Sequence, residues 1–327
     1  MTRTASLVAA VLLLTAVAGS LPAQPPPPAP LPPSQPSPLA YTPPPPPPPP
    51  PAPLFEPAPP GAAAPGVLGM GFFLGVELGF LKPTVTGGLV NEMPLGPLGE
   101  KLAVPRASLD WVVSPAIEVG YKLPCGEAFV ATYRFLTSEG NAVVGGPADP
   151  TQLRSRLDVQ FFDLDYALAP YEFAPRYELN SRLGVRVADV FFDSRATDAA
   201  GLQQASNDFF GAGIHGRLEV KRSIALLPGL GIFGALDGSA LVGRTNQKFH
   251  LENDFGEVIA SSMKQHGQRT VGVVQLQVGL SYAPPALPGL QFVTGYEYER
   301  IFAAGDLGPS SGDVYSQGWF IRARFDF

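Results

Sequence analysis

Apolar and polar residues alternate with a period of two through most of the chain beyond residue 70. In the first such segment every second residue is apolar: Phe72, Leu74, Val76, Leu78 and Phe80. Successive side chains of a β-strand point to opposite faces, whereas a helix repeats every 3.6 residues. The period therefore predicts strands with one apolar face and one polar face.

Ten segments carry this pattern, and their connections alternate in length. The predicted strands are 70–82, 112–123, 127–138, 153–168, 176–189, 207–220, 229–243, 269–282, 290–302 and 313–327. Long connections follow the odd-numbered strands, at 83–111, 139–152, 190–206, 244–268 and 303–312. Short turns at one end and longer loops at the other are typical of transmembrane β-barrels. A further hairpin within 83–111 would raise the strand count to twelve.

The length of the segments favours a membrane barrel over a soluble β-sandwich, whose strands also alternate. Each segment has about 11 to 15 residues, as a tilted membrane-spanning strand requires, whereas strands of soluble proteins usually have five or six. Aromatic residues cluster near the strand ends, at Tyr121, Tyr166, Tyr177, Tyr282 and Trp319. We predict an all-β fold: a transmembrane antiparallel up-and-down β-barrel of about ten strands, preceded by a disordered Pro-rich segment.

One predicted strand does not keep a single apolar face. Within 153–168 the apolar positions change parity between Phe161 and Phe162. Two explanations are open at the level of sequence. A β-bulge would shift the alternation by one residue, and a strand that projects beyond the membrane would change its surroundings along its length.

The first 66 residues differ in composition from the rest of the chain. Arg3 and the apolar run Leu7–Val17 precede small residues that end at Ala23, so we predict a signal peptide over 1–23. Of the 39 prolines, 24 lie between Pro22 and Pro65. Because proline lacks an N–H and has a fixed φ, residues 24–66 should form a polyproline II tether. The barrel domain is then 67–327.

These features predict an integral protein of the bacterial outer membrane. An even strand count places both ends of the barrel on one side, and the signal peptide makes that side the periplasm. The tether is expected either to contact a periplasmic or cell-wall partner or to be a featureless spacer. The net charge of −6 and the lack of a Lys/Arg run argue against nucleic-acid binding.

Charged residues recur on the polar parity of the predicted strands, which is the lumen side of a barrel. They are Glu77, Glu118, Arg134, Asp163, Asp165, Arg182, Arg186, Arg217, Glu219, Glu297, Glu299, Arg322 and Arg324. One interpretation is a pore lining that biases ion passage. The other is a set of mutually paired charges that fills a narrow barrel. The two interpretations carry equal weight for any single residue.

Other candidate chemistry is weak. The segment Gly229–Gly234 matches the pattern GxGxxG but lies inside a strand, so it lacks the helix N-terminus that a nucleotide phosphate requires. His215 lies on the lumen face, where Ser239 or Ser281 would be the only nucleophiles to consider, and no spacing singles them out. The lone Cys125 fits a tight turn. We expect no enzyme activity, catalytic residue, cofactor or metal.

Several blocks resemble the Legionella-type major outer membrane protein family. They are residues 71–77, 162–166, 183–189, 294–299 and 317–323. The similarity covers about residues 70 to 327 and does not include the tether. The resemblance implies a pore-forming barrel with no catalytic site and no cofactor. The closing pattern Trp319, Ile321, Phe325 and Phe327 also resembles the C-terminal signal that barrel-assembly machinery reads.

Two functions are expected from these observations. The first is a small porin-like pore for passive diffusion of small solutes or ions, which the resemblance favours. The alternative is a non-conducting structural or surface-binding barrel, whose external loops, especially 83–111 and 244–268, carry the interactions and whose Pro-rich segment serves as a tether.

Overall fold

A computed structural model describes residues 71–86, 89–92, 101–104, 106–146, 149–225, 227–304 and 312–327. The predicted signal peptide and tether, 1–23 and 24–66, lie outside the described residues. Within the described ranges, no helix is long and apolar enough to cross a membrane.

The described residues form thirteen β-strands. They are β1 (Gly71–Val85), β2 (Leu89–Glu92), β3 (Lys101–Val104), β4 (Val112–Lys122), β5 (Ala128–Gly146), β6 (Asp149–Ala167), β7 (Tyr171–Ala174), β8 (Tyr177–Asp198), β9 (Gly201–Ser223), β10 (Leu230–Asn253), β11 (Val258–Tyr282), β12 (Leu290–Phe302) and β13 (Val314–Asp326). Ten of them, without β2, β3 and β7, form one closed antiparallel sheet. The predicted ten-stranded transmembrane β-barrel is therefore confirmed.

Closure depends on the pairing of β1 with β13. Val76 lies opposite Ala323 on β13 and opposite Ile117 on β4, so β1 has a partner on each side. The amide of Phe327 extends the seam by donating to the carbonyl of Phe72 at 2.9 Å. Each of the ten strands pairs with two others, as a sheet in lipid requires because hydrocarbon offers no partner to an open edge.

The outer face of the barrel carries a continuous band of exposed apolar side chains. Leu183 and Ile214 are each 68% exposed, and Trp319 is 63% exposed. The band also includes Phe72, Leu78, Val119, Phe129, Leu164, Leu218, Leu236, Val242, Val278 and Ile321. Such a surface is stable only against hydrocarbon, so this band is the membrane-spanning zone.

Six of the strands, β5, β6, β8, β9, β10 and β11, continue far beyond this band at the end opposite the termini, which we call the loop end. Strand β10 runs on from Val242 to Asn253, roughly 35 Å of extended chain. Outward-facing residues there form ion pairs, such as Arg154 with Glu139 at 2.9 Å. The described parts of the predicted loops 139–152, 190–206 and 244–268 are thus mainly strand continuations, and their assignment as loops was wrong. Their polar outer face, which meets water, produced the loop-like composition.

The connection between β1 and β4 folds across the loop-end mouth. Strands β2 and β3 form a separate two-stranded sheet, so the barrel keeps ten strands and the alternative count of twelve is wrong. Strand β3 lies against β8 and β9, on the wall opposite β1. The following residues return along β5, where the Asp110 amide donates to the Glu139 carbonyl at 3.0 Å.

The change of apolar parity along β6 reflects a change in the side chains that fill the interior of the barrel. Strand β6 pairs with β5 and β8 in unbroken register, so no bulge lies at Phe161. On the loop-end side of Phe161 the inward side chains are apolar, as at Leu157 and Val159, whereas Asp163 faces inward on the other side. Strand projection, the second explanation, therefore accounts for the pattern.

Candidate functional site

The charged residues predicted for the lumen all lie on the inner faces of barrel strands. We call this group, together with His215, Asp237 and Gln277, the charge layer. Its predicted members are Glu77, Glu118, Arg134, Asp163, Asp165, Arg182, Arg186, Arg217, Glu219, Glu297, Glu299, Arg322 and Arg324. The structure brings them together into linked ion pairs rather than leaving them as separate residues along an open channel.

Arg186 lies at the centre of the charge layer. It pairs with Asp163 on β6, with Nε to Oδ1 at 2.6 Å, and with Asp237 on β10, with Nη1 to Oδ1 at 3.1 Å. His215 bridges two carboxylates, because its Nδ1 lies 2.7 Å from Asp165 and its Nε2 lies 2.8 Å from Asp237. All five side chains are buried. The cluster therefore cross-links β6, β8, β9 and β10 through the interior.

A second cluster joins the opposite wall. Arg134 on β5 contacts Glu297 at 3.0 Å and also pairs with Glu299, both on β12. Gln277 donates to Glu297 at 2.8 Å and accepts from Arg322 at 3.1 Å. Glu297 is only 1% exposed, so its contacts run entirely across the interior. These side chains span the barrel from β5 to β12.

Three further pairs extend the layer toward the end that carries the termini, the terminal end. They are Arg322 with Glu77 at 2.7 Å, Arg182 with Glu118 at 2.6 Å, and Arg217 with Glu219 at 3.1 Å. Beyond them the interior opens into a cavity of about 200 Å³, whose lining includes Lys122, Lys221 and Asp326. A second cavity of about 290 Å³ lies at the loop end, where residues 106–109 and Phe192 line it.

The space left inside the charge layer is small. A cavity of about 60 Å³ lies among its side chains, enough for a few water molecules only. A passive pore needs a continuous aqueous path, whereas barrels of eight strands are just filled by their side chains. In this ten-stranded barrel long Arg and Glu side chains occupy the extra interior volume.

An apolar layer follows the charge layer on its loop-end side. Its most buried members are Leu157, Phe209, Leu241, Val271, Val273 and Ile301, each at most 1% exposed. Phe161 forms the boundary, since the guanidinium carbons of Arg134 and Arg186 lie 5.0 and 4.9 Å from its ring centre. This layer was missed at the level of sequence. The parity change at Phe161 was the signal that pointed to it.

A third barrier lies at the loop-end mouth. The amide of Ala107 donates to the Ser155 hydroxyl at 2.9 Å, and Ser155 also lies 3.1 Å from Ser194. Ala107 and Leu109 are each 4% exposed, because this segment packs against the inner faces of β5, β6 and β8. We call residues 106–110 the mouth segment.

Neither of the two serines considered as nucleophiles forms a hydrogen bond with His215 among the described residues. Both ring nitrogens of His215 lie next to carboxylates, and Ser239 contacts Arg186 Nη1 at 3.5 Å. Ser281 has no hydrogen-bond partner among the described residues. In the same part of the chain, no group of three or more His, Cys, Asp or Glu side chains is placed to hold a metal ion. The GxGxxG segment lies at the start of β10 and continues as strand rather than helix.

The residues of the proposed assembly signal lie on the outer face of the seam strand. Trp319, Ile321 and Phe325 project into the apolar band, with exposed fractions of 63, 49 and 43%. Phe327 follows β13, is 73% exposed, and stacks edge to face on Phe325 with ring centres 4.9 Å apart.

The closed sheet, its apolar outer band and its filled interior define a transmembrane β-barrel of the outer-membrane type. The fold is similar to that of the outer membrane protease OmpT from Escherichia coli, with a TM-score of 0.51 and 12% identity over 80% of this chain and 99% of that chain. A major outer membrane protein from Thermus thermophilus aligns with a TM-score of 0.34 and 12% identity, over 79% of this chain and 99% of that chain. At such identities the likeness to OmpT shows the fold only.

The sequence matches no protein-family model and no curated protein. The resemblance to the Legionella-type family therefore stays a prediction.

Proposed function

We propose that this protein is a non-conducting barrel of the bacterial outer membrane that displays its projecting hairpins for binding at the cell surface. The observation that carries the proposal is the sealed interior, in which a charge layer, an apolar layer and a mouth segment follow one another along the axis. This choice replaces the small pore, which the sequence resemblance favoured, with the alternative function.

Physical chemistry supports the seal. An ion that crossed the charge layer would have to displace buried partners such as Glu297 and Arg134, and breaking a buried pair costs about 3–5 kcal/mol. The ion would next meet the apolar layer, where Leu157 and Phe209 offer no ligands for it. Movements of the exposed loops do not remove either barrier, because both layers lie inside the barrel.

Planar-bilayer conductance is the test that separates the two functions. The purified, folded full-length protein is expected to give no stepwise current in concentrated KCl. Folding is verified beforehand by the mobility difference between heated and unheated samples in detergent gels. Regular unitary steps from the folded protein would overturn the proposal and restore the diffusion pore.

The projecting hairpins supply the surface for a binding role. The turn between β10 and β11 lies at the loop end, where Phe255 is 83% exposed and Met263 is 63% exposed. Val258 and Ile259 are each 56% exposed on the same hairpin. Exposed apolar groups at the tip of a rigid hairpin are typical of contact surfaces. We expect cells that express a variant with shortened β10 and β11 to lose adhesion to surfaces that wild-type cells bind.

We also propose that the terminal end faces the periplasm. Cys125 is the only cysteine, and it lies exposed in the turn between β4 and β5 at that end. A membrane-impermeant maleimide should therefore leave it unlabelled in intact cells and label it after lysis. The matched control is Cys125→Ser combined with Glu257→Cys at the loop end, which should be labelled in intact cells. The reverse result would invert the orientation.

The remaining partners follow from this orientation. We propose that the Pro-rich residues 24–66 act as a periplasmic tether and that the barrel-assembly machinery reads Trp319, Ile321, Phe325 and Phe327. Deleting residues 24–66 should weaken envelope integrity or reduce the amount of cell-wall partner that is recovered with the protein. We further propose that the barrel is not an enzyme and needs no cofactor, since its buried histidine is held between carboxylates.

A further inference from the structure

The lipid-facing side of the barrel contains a groove. Ala131 on β5 is a small residue that faces outward, between Val119 on β4 and Leu164 on β6 in the pairing register. The larger outward side chains around it leave a depression of about 550 Å³. Its lining is almost entirely apolar and extends across β4, β5, β6 and β8 to Leu183 and Val185.

Two aromatic pairs form the end of this groove that lies nearest the terminal end. Phe72 packs on Tyr121 with ring centres 5.0 Å apart, and Phe129 packs on Tyr166 at 5.3 Å. Both pairs are tilted and lie at the edge of the apolar band. Aromatic side chains at this depth fix the boundary between hydrocarbon and head group, so the groove runs from the head-group level into the hydrocarbon.

An acidic side chain stands where the groove meets the head-group level. Glu127 follows the turn after β4 and lies close to Tyr166, whose ring lines the groove. The Cys125 thiol donates to Glu127 at 3.1 Å. Hydrogen bonds from Tyr166 and from Cys125 lower the pKa of Glu127 below its ordinary value. The carboxylate is therefore ionised at neutral pH.

We propose that this groove binds one acyl chain of a membrane phospholipid with an ammonium head group, and that Glu127 accepts the ammonium. The location settles the general class of occupant, because the groove opens onto the band that contacts hydrocarbon. The charge of Glu127 favours this head group, because a carboxylate attracts an ammonium and repels a head group with a net negative charge. The proposal is independent of whether the barrel conducts.

Native mass spectrometry of the detergent-solubilised full-length protein provides the test. Phosphatidylethanolamine and phosphatidylglycerol with identical acyl chains are added in equal amounts, and retained lipid is counted. Wild-type protein is expected to retain phosphatidylethanolamine with a preference of about two- to fivefold, the size of one solvent-accessible ion pair. Glu127→Gln should bring the two lipids to equal retention. Glu172→Gln, an exposed acidic residue on β7, should leave the preference unchanged.

A second variant tests the groove itself. Ala131→Trp fills the depression and should abolish retention of both lipids. Ala240→Trp is its matched control, because Ala240 is also an outward-facing alanine of the barrel wall but does not line the groove. Heat-dependent gel mobility verifies that each variant is folded. Equal retention of the two lipids by wild-type protein, or unchanged retention in folded Ala131→Trp relative to Ala240→Trp, would overturn the proposal.

Discussion

Arg186 and Asp163 form a two-pronged ion pair across β6 and β8 inside the barrel. Nε lies 2.6 Å from Oδ1 and Nη2 lies 2.8 Å from Oδ2, and the two residues are directly opposite in the strand register. Arg186 is 2% exposed and Asp163 is 6% exposed. Because neither charge can be solvated, each depends on the other, and a change to one side of the pair has a large effect.

Replacing Arg186 with methionine should strongly destabilise the barrel. The substitution keeps the apolar stem but leaves Asp163 without its cation and Asp237 with His215 as its remaining partner, which costs about 3–5 kcal/mol. Urea unfolding in lipid vesicles, followed by tryptophan fluorescence, measures the change in free energy of unfolding. The matched control is Arg195→Met at the loop end, where the side chain is 48% exposed and a loss below about 1 kcal/mol is expected. Equal losses in the two variants would contradict the buried network.

Gly318 is expected to be intolerant of a side chain. A Cβ there would lie 1.9 Å from the carbonyl oxygen of Phe80, so Gly318→Ala has to displace the backbone of the seam between β1 and β13. We expect a loss of about 1–3 kcal/mol, the usual cost of overpacking. Gly272→Ala is the control, because its nearest neighbour would be the Phe302 ring at 3.5 Å. The fraction folded after refolding into detergent distinguishes the variants, and similar fractions would argue against a tight seam.

The mouth segment should loosen when Ser155 loses its hydroxyl. In Ser155→Ala the buried Ala107 amide loses its acceptor, at a cost of about 1–3 kcal/mol. Limited trypsin digestion reports the change as faster cleavage after Arg106. Ser261→Ala, on the exposed face of β11, provides the comparison and should digest like the wild type. Unchanged cleavage in Ser155→Ala would mean that other contacts hold the segment.

The β12–β13 turn should be sensitive to acid. Asp313 accepts from the Ala303 amide at 2.9 Å and from Arg300 Nη2 at 2.6 Å. Burial would raise the pKa of Asp313, but the Ala303 amide and the Arg300 guanidinium outweigh it and lower the pKa. The stabilisation is therefore full above the ordinary pKa of about 3.9 and is lost as the pH falls through the lower folded value.

Hydrogen exchange at Ala303 measures this effect. Ala303 has a φ of 57°, a conformation that an alanine adopts only when its surroundings impose it. Its protection should fall when the pH is lowered below the ordinary Asp pKa, and Asp313→Asn should remove that dependence. Identical acid profiles in the two proteins would show that Asp313 does not hold the turn.

The barrel could be predicted from sequence because its membrane zone follows one rule. From Leu74 to Phe80 apolar groups face lipid and small or charged groups face inward, and the period of two records this directly. Beyond the membrane the rule reverses, since water lies outside and apolar side chains pack inside. Residues such as Arg195 and Asp193 then point outward on β8, and the segment has the composition of a loop.

Only part of the candidate site could be predicted from the sequence, and the reason is different. Parity places Arg186 and Asp163 in the lumen, but it does not say whether such charges line a channel or pair with each other. That choice depends on the barrel diameter and on contacts between distant residues, such as Arg134 with Glu297. The mouth segment depends likewise on a single long-range contact, from Ala107 to Ser155. Neither relationship leaves a periodic trace in the chain.

The pairing of β1 with β13 also has a consequence for biogenesis. About 250 residues separate Val76 from its partner Ala323, so the wall cannot be completed until translation has passed every other strand. Until then one edge of each of these strands lacks a partner and offers unpaired amides to any neighbouring chain. Any factor that shielded the unclosed sheet would therefore have to cover two stretches that are far apart in the chain.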